Sequence, residues 1–203
     1  MLSAKGDARQ VTPRATPAVV GGRFRLERVL GCGGMGTVFE AVQLTVGRRV
    51  ALKVLNAEYA RDSRQLERFC REVAIVARLA HPHIVSLIDF GETAGGSLYY
   101  AMELVRGTTL AERLVMSGPL KPFVAADVAR QVLLALEHAH AEGIIHRDVK
   151  PSNVMLTGTL DGLAFAKLLD FGTAKIVSEE AAALPFATRV GLVVGTPGYF
   201  SPE

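Results

Sequence analysis

Residues 144–156 read IIHRDVKPSNVML. His146, Arg147, Asp148, Lys150 and Asn153 stand between the apolar runs Ile144-Ile145 and Val154-Met155-Leu156. Strand-like runs are usually joined by Gly, Asn or Ser, residues that suit turns. A cluster of charge in that position is different. Holding it beside a core costs desolvation unless its members pair with each other or meet a ligand. Asp148 has the reach of a general base, and Asn153 can offer an amide oxygen to a hard cation. This stretch is therefore the expected centre of the chemistry.

The chain around it is of ordinary globular composition: 203 residues, 49% hydrophobic and 21% charged, with a net charge of +3. That length suits one large domain or two small lobes. The modest charge, without a Lys/Arg-rich run, gives no case for nucleic-acid binding. Cys32 and Cys70 are too few for a disulfide framework, so a reducing cytoplasm fits. The N-terminus lacks the apolar core of a signal peptide, and no uncharged apolar stretch is long enough to span a bilayer. The expectation is a soluble, cytoplasmic chain without a membrane segment.

Periodicity divides the sequence. Residues 1–21 mix Pro, Thr, Ala and Arg without pattern and read as a mobile tail. FRLERVL, TVFEAVQL, RRVALKVL, HIVSLIDFGE and SLYYAMELV are strand-length and rich in branched residues, predicting a sheet of about five strands. Between the third and fourth, Leu66, Phe69, Val73, Val76 and Leu79 recur at helical spacing, with Ser63 as N-cap and Pro82 as a stop. After Gly107 the pattern turns helical. A short TLAERLV precedes a long segment with Val124, Val128, Val132, Leu136 and Ala139 on one face and Gly143 at its end. A hairpin from NVMLTG to AFAKLLDFG follows the opening stretch. No internal repeat is present.

Three further constellations surround the charged turn. GCGGMGTV sets Gly31, Gly33 and Gly36 in a G-x-G-x-x-G array, weak evidence alone. A dinucleotide-binding motif needs a helix after the glycines, and here the strand-like TVFEAVQL follows, so a phosphate-covering flap between paired strands is preferred. Lys53 lies in the apolar run VALKVL; taken alone it reads as an edge lysine reaching water. Glu72, near the buried face of the first helix, shifts that reading towards a Lys53–Glu72 pair poised for phosphates. Asp170, in LLDFGTA, leaves an apolar strand at a Gly turn, and with Asn153 it suits magnesium, which takes few protein ligands and prefers oxygen. A zinc site of His146 with His138 or His140 lacks thiolates and metal-type spacing, so His146 is read as structural.

Taken in order over residues 23–203, these motifs resemble the protein kinases, and HRDVKPSN with GTPGYFSPE is similar to the serine/threonine branch in bacterial kinases of eukaryotic type. The resemblance implies an α+β, two-lobed fold. Residues 22–104 would form a β-rich N-lobe with one main helix, and residues 105–203 a helical C-lobe that stops after the activation segment. It implies ATP and Mg2+ as ligands and transfer of the γ-phosphate to Ser/Thr hydroxyls of proteins; the alternative is an ATP-binding pseudokinase or an inactive fragment. By the same resemblance Asp148 is the base, Lys150 steadies the γ-phosphate, and Asn153 and Asp170 hold the metal. Lys53, paired with Glu72, grips the α- and β-phosphates under Gly31, Gly33, Gly34 and Gly36. Leu30, Val38 and Ala51 enclose the adenine, with Met102 as gatekeeper and backbone groups of Glu103 and Val105 at its edge. Thr188 is the first candidate for activating phosphorylation, received by Arg147, and Ser178 the second. Self-association for autophosphorylation and membrane tethering beyond Glu203 stay open. Two departures stand out: the span from Asn153 to Asp170 is longer than usual, which suggests a longer hairpin tip, and the chain ends at Glu203.

Overall fold

Branched residues alternating between turns give the first half of the chain an antiparallel sheet. Its strands are β1 (Val19–Val20), β2 (Phe24–Gly33), β3 (Gly36–Gln43), β4 (Arg48–Leu55), β5 (Leu87–Glu92) and β6 (Leu98–Glu103), in the spatial order β1-β2-β3-β4-β6-β5. The computed structural model describes residues 18–33, 36–56, 73–74, 76–160, 163–170, 175–176 and 197–199.

Strand β4 lies inside the sheet, and Val50, Ala51, Leu52 and Lys53 are all buried. The ladder pairs Val38 with Lys53, Lys53 with Tyr100 and Ala51 with Met102. Because side chains alternate along a strand, these five residues share one face. Ala41, Val50, Leu52, Tyr99 and Ala101 share the other, where they close an apolar cluster with Phe24. Phe24 and Tyr99 meet edge-to-face with ring centres 5.7 Å apart. One face is thus a core, and the other is left to build a site.

The sheet has one strand more than expected. Val19 and Val20, inside the span read as a tail, pair with Arg25 and Phe24, and the Leu26 N–H donates to the Ala18 carbonyl at 2.9 Å. Two branched residues before a turn suffice to add this short edge strand. Most of the expected first helix lies outside the described residues. Its end is seen at residues 73, 74 and 76, where the Ala77 N–H donates to the Val73 carbonyl at 2.9 Å.

In the second half, β7 (Thr108–Thr109) leads into α1 (Leu110–Ser117), followed by α2 (Pro122–Ala141). Helix α1 opens on a reciprocal cap: Thr109 Oγ1 accepts from the Glu112 N–H (3.1 Å), and Glu112 Oε2 accepts from the Thr109 N–H (2.7 Å). Helix α2 begins with Pro122, whose missing N–H costs nothing in a first turn, and ends before Gly143 at φ 74. Its expected apolar face is the buried one. Val128, Ala135 and Ala139 pack with Leu79, Ile84, Ile144, Val154, Ala166 and Leu168, and Val124, Val132 and Leu136 flank them. Leu79 and Ile84 belong to the span expected to form the first lobe, yet they are buried in this second core.

The remaining strands are β8 (Ile144–Ile145), β9 (Val154–Leu160), β10 (Leu163–Leu168) and β11 (Lys175–Ile176). β9 pairs with β10 and β7, and β8 pairs with β11. Most of TGTLDGLAFA, the stretch expected to form a longer hairpin tip, is paired. Leu160 pairs with Leu163 and Thr159 with Ala164. Gln131, invisible to an apolar-stripe reading, is 4% exposed and ties α2 to this hairpin: its Oε1 accepts from the Ala166 N–H (2.7 Å), and its Nε2 donates to the Ala164 carbonyl (2.9 Å).

Candidate active site

Backbone hydrogen bonds bring the two halves together beside the site face. The Leu168 N–H donates to the His83 carbonyl at 2.8 Å, and the Val85 N–H to the Leu168 carbonyl at 3.0 Å. Lys167 meets Glu103, the last residue of β6, at 2.5 Å. The end of β10 is thereby fixed against the sheet, and Asp170, two residues further on, is delivered to Lys53. Lys53 Nζ pairs with Asp170 Oδ2, and the Tyr100 hydroxyl donates to Asp170 Oδ1 at 2.6 Å. Lys53 is only 6% exposed, so it is no edge lysine reaching water. Its expected partner Glu72 lies outside the described residues.

The charged turn that opened the sequence reading is organised from beneath by His146, which is 1% exposed. Its Nε2 hydrogen-bonds the Leu169 carbonyl at 2.8 Å, and its Nδ1 accepts from the Asp148 N–H at 3.3 Å. A ring that accepts at Nδ1 and donates at Nε2 is neutral, and burial, as the leading cause, holds its pKa below the usual histidine value. The structural role expected of His146 is the one observed. The Leu169 N–H in turn donates to the Asn153 carbonyl at 2.8 Å. The loop and the residue before Asp170 are therefore locked to each other.

Within the turn, Lys150 Nζ lies 2.7 Å from Asp148 Oδ2. The Asn153 amide nitrogen donates to the Asp148 carbonyl at 2.8 Å and to its Oδ2 at 3.1 Å. With that nitrogen committed, the amide oxygen is the atom Asn153 can offer to a cation. Two non-glycine residues here adopt left-handed backbone, Arg147 at φ 64 and Asp170 at φ 60. Such conformations cost about 1–3 kcal/mol and persist where the surrounding structure enforces them. Asn153 and Asp170 carry oxygen donors, the type of ligand that Mg2+ prefers.

The nucleotide-side residues follow the sheet register. Gly31, Cys32 and Gly33 pair with Val38, Thr37 and Gly36, and the spaces where Gly31 and Gly33 would carry a Cβ are open. A Cβ at Gly36 would stand 2.1 Å from the Val54 carbonyl oxygen, so only glycine lets β3 approach β4 there. Gly34 lies outside the described residues. Ala51 is buried, Val38 and Met102 are half-buried, and Leu30 is exposed beside the glycine turn. The Glu103 N–H is committed to the Ser86 carbonyl at 3.0 Å. Val105 follows it, half-buried and outside regular structure. Thr188 and Ser178 lie outside the described residues, and Arg147 is exposed.

Tyr100 and the Lys167–Glu103 pair were not anticipated. The spacing of Tyr100, two residues before Met102 and thus on the same strand face, was a usable sign. Its position opposite Lys53 required the register.

A glycine-edged sheet face whose buried lysine meets a carboxylate at the end of a hairpin, beside a loop carrying Asp, Lys and Asn, is the arrangement described for two-lobed phosphoryl-transfer proteins. Comparison with known proteins agrees: residues 24–203 match the protein kinase domain, and the chain belongs to the protein kinase family. It is 44% identical over 181 residues to the serine/threonine-protein kinase pkn3 of Myxococcus xanthus, covering 89% of this chain and 33% of that protein. It is also 44% identical over 186 residues to the serine/threonine-protein kinase PknA of Mycobacterium tuberculosis, covering 90% of this chain and 41% of that one. The chain thus spans well under half the length of these relatives. Among solved structures, the M. tuberculosis PknI kinase domain superimposes with a TM-score of 0.67 at 35% identity, over 78% of this chain and 61% of that one. The α+β, two-lobed architecture is that of the family. No helix among the described residues is long and apolar enough to cross a membrane.

Proposed function

We propose that this chain is the catalytic part of a serine/threonine protein kinase that transfers the γ-phosphate of MgATP to Ser or Thr hydroxyls of proteins. The supporting observation is that the Lys53–Asp170 pair lies one residue from Leu169, whose backbone is hydrogen-bonded to His146 and Asn153 of the loop that carries Asp148 and Lys150. Leu30, Val38, Ala51 and Met102 enclose the adenine, whose edge meets the Glu103 carbonyl and the Val105 backbone. The ammonium of Lys53 holds the α- and β-phosphates, with Glu72 as its partner on the first helix. Asn153 and Asp170 hold Mg2+, which when bound neutralises charge building on the phosphate oxygens. Asp148 receives the proton of the acceptor hydroxyl, and Lys150, already beside it, turns to the γ-phosphate. This is catalysis by positioning and charge.

The same proposal extends to regulation. Phosphorylation at Thr188, or secondarily Ser178, would give Arg147 a charge-assisted partner and order the segment around it. Self-association for autophosphorylation and a cytoplasmic setting complete the picture. The test is transfer of radiolabelled γ-phosphate by the wild-type protein and by Asp148→Asn, to itself and to a generic protein substrate, followed by phosphoamino-acid analysis. Phosphoserine or phosphothreonine from the wild type alone is the expected result. Nucleotide binding without any transfer would favour a pseudokinase.

A further inference from the structure

Tyr100 sits directly across the ladder from Lys53 and is 6% exposed. Buried tyrosines usually find a hydrogen-bond partner, and the choice of partner here is informative. The hydroxyl donates to Oδ1 of Asp170 at 2.6 Å, while Lys53 takes Oδ2 of the same group. The Lys53 ammonium also lies 5.7 Å from the centre of the tyrosine ring. Two donors on adjacent strands therefore hold the two oxygens of one carboxylate, which arrives from outside the sheet on a left-handed backbone at φ 60.

A carboxylate held by one donor can rotate about it; held by two, its plane is set. A carboxylate has about four lone-pair directions, so two donors do not by themselves exclude a cation.

We propose that Tyr100 is a positioning residue for the divalent-cation site, its hydroxyl fixing the plane of Asp170 so that the remaining lone pairs face the cation. This rests on the assignment of Asp170 as a metal-holding carboxylate. Without the hydroxyl, Asp170 loses one of the donors that set its plane, and the Lys53 ammonium competes more strongly with the cation for its oxygens. Partners that orient metal ligands typically contribute about 10–100-fold in metal affinity, and a shift of that size is expected here.

The experiment compares Tyr100→Phe, Tyr100→Met and Asp170→Asn with wild type in the full-length protein, using Mg2+ as titrant and a fluorescent ATP analogue as reporter. Affinity for the analogue is measured in EDTA and along a Mg2+ series, and kcat and KM for ATP are followed over the same series. Tyr100→Phe should need about 10–100-fold more Mg2+ to reach the tightened state, with affinity in EDTA within about twofold of wild type. Its kcat should recover at saturating Mg2+. Tyr100→Met, which fills the space without a hydroxyl, should move the Mg2+ midpoint to a similar extent, and Asp170→Asn should abolish the Mg2+ effect on binding. An unchanged midpoint in Tyr100→Phe, with Asp170→Asn abolishing the effect, would overturn the role of Tyr100 and leave the metal assignment standing. A shift in Tyr100→Met alone would also overturn it, since ring volume would then be the cause. If Asp170→Asn leaves the Mg2+ effect intact, the metal assignment fails and the role of Tyr100 fails with it.

Discussion

The sheet and the catalytic loop hold their functional side chains by different means. On the sheet, Val38, Ala51, Lys53, Tyr100 and Met102 reach one face through register alone, and the opposite face pins that register by burying Leu52, Tyr99 and Ala101. A one-residue slip would exchange the two faces, so the apolar cluster guards the position of Lys53. The loop has no such ladder. Asp148 and Asn153 are held by His146 and each other through local hydrogen bonds, and His146 and Asn153 are anchored in turn to the distant backbone of Leu169. The sheet therefore depends on packing for its precision, and the loop depends on satisfied polar groups.

The largest expected effect comes from the loop. Asp148→Asn keeps the side-chain shape but removes the proposed proton acceptor, and general-base catalysis supplies about 10²–10⁴-fold. Phosphoryl transfer in steady-state assays should fall at least that far, while ATP affinity by calorimetry stays close to wild type. Near-normal turnover would remove Asp148 from its role. Next comes Lys53→Met, which leaves Asp170 without its ammonium and the phosphates without theirs. Loss of one preorganised electrostatic group typically costs about 10²–10³-fold in kcat. The loss should persist at saturating ATP, because positioning is what fails. An active Lys53→Met would make the Lys53–Asp170 pair merely structural.

Two stability measurements sharpen the contrast. Leu52→Ala opens the cluster under β4, and buried leucine truncations cost about 2–5 kcal/mol, so chemical denaturation should show a loss in that range. Gln131→Ala keeps the apolar packing but strips partners from the Ala166 N–H and the Ala164 carbonyl. Groups orphaned in this way cost about 1–3 kcal/mol. If Gln131→Ala proves harmless, the hairpin does not rely on that bridge.

The smallest effect is one of pH. The His81 ring stacks on His138 at 5.3 Å and lies 5.5 Å from His83, and its Nδ1 accepts from the His83 N–H at 3.2 Å. Burial first, then the neighbouring His83 and His138, lowers its pKa from the ordinary 6.5. A lowered folded-state value means that the unfolded chain binds the proton more tightly. The contribution to stability is therefore complete above about pH 6.5 and is lost as pH falls below it towards the folded-state value. Melting temperature should drop between pH 7.5 and 5.5, and His81→Asn, which keeps an acceptor but cannot titrate there, should flatten that slope.

The sequence by itself determined the order and type of the longer strands and of α1 and α2, together with the apolar face of α2, and it named the candidate catalytic residues. These follow from local causes: strand and helix periods, turn residues, and charges that have no reason to sit between apolar runs unless they act. Short edge pairing escaped it, because Val19-Val20 differs little from the chain before it until Phe24 and Arg25 are opposite. Hairpin length escaped it for a similar reason, as paired and looped residues look alike near a turn. Only the tertiary structure decided which carboxylate meets Lys53 among the described residues, that Tyr100 shares it, and that Gln131 and His146 are buried through hydrogen bonds to backbone atoms far along the chain. A polar side chain is placed by partners distant in sequence, and its own neighbours carry no record of them.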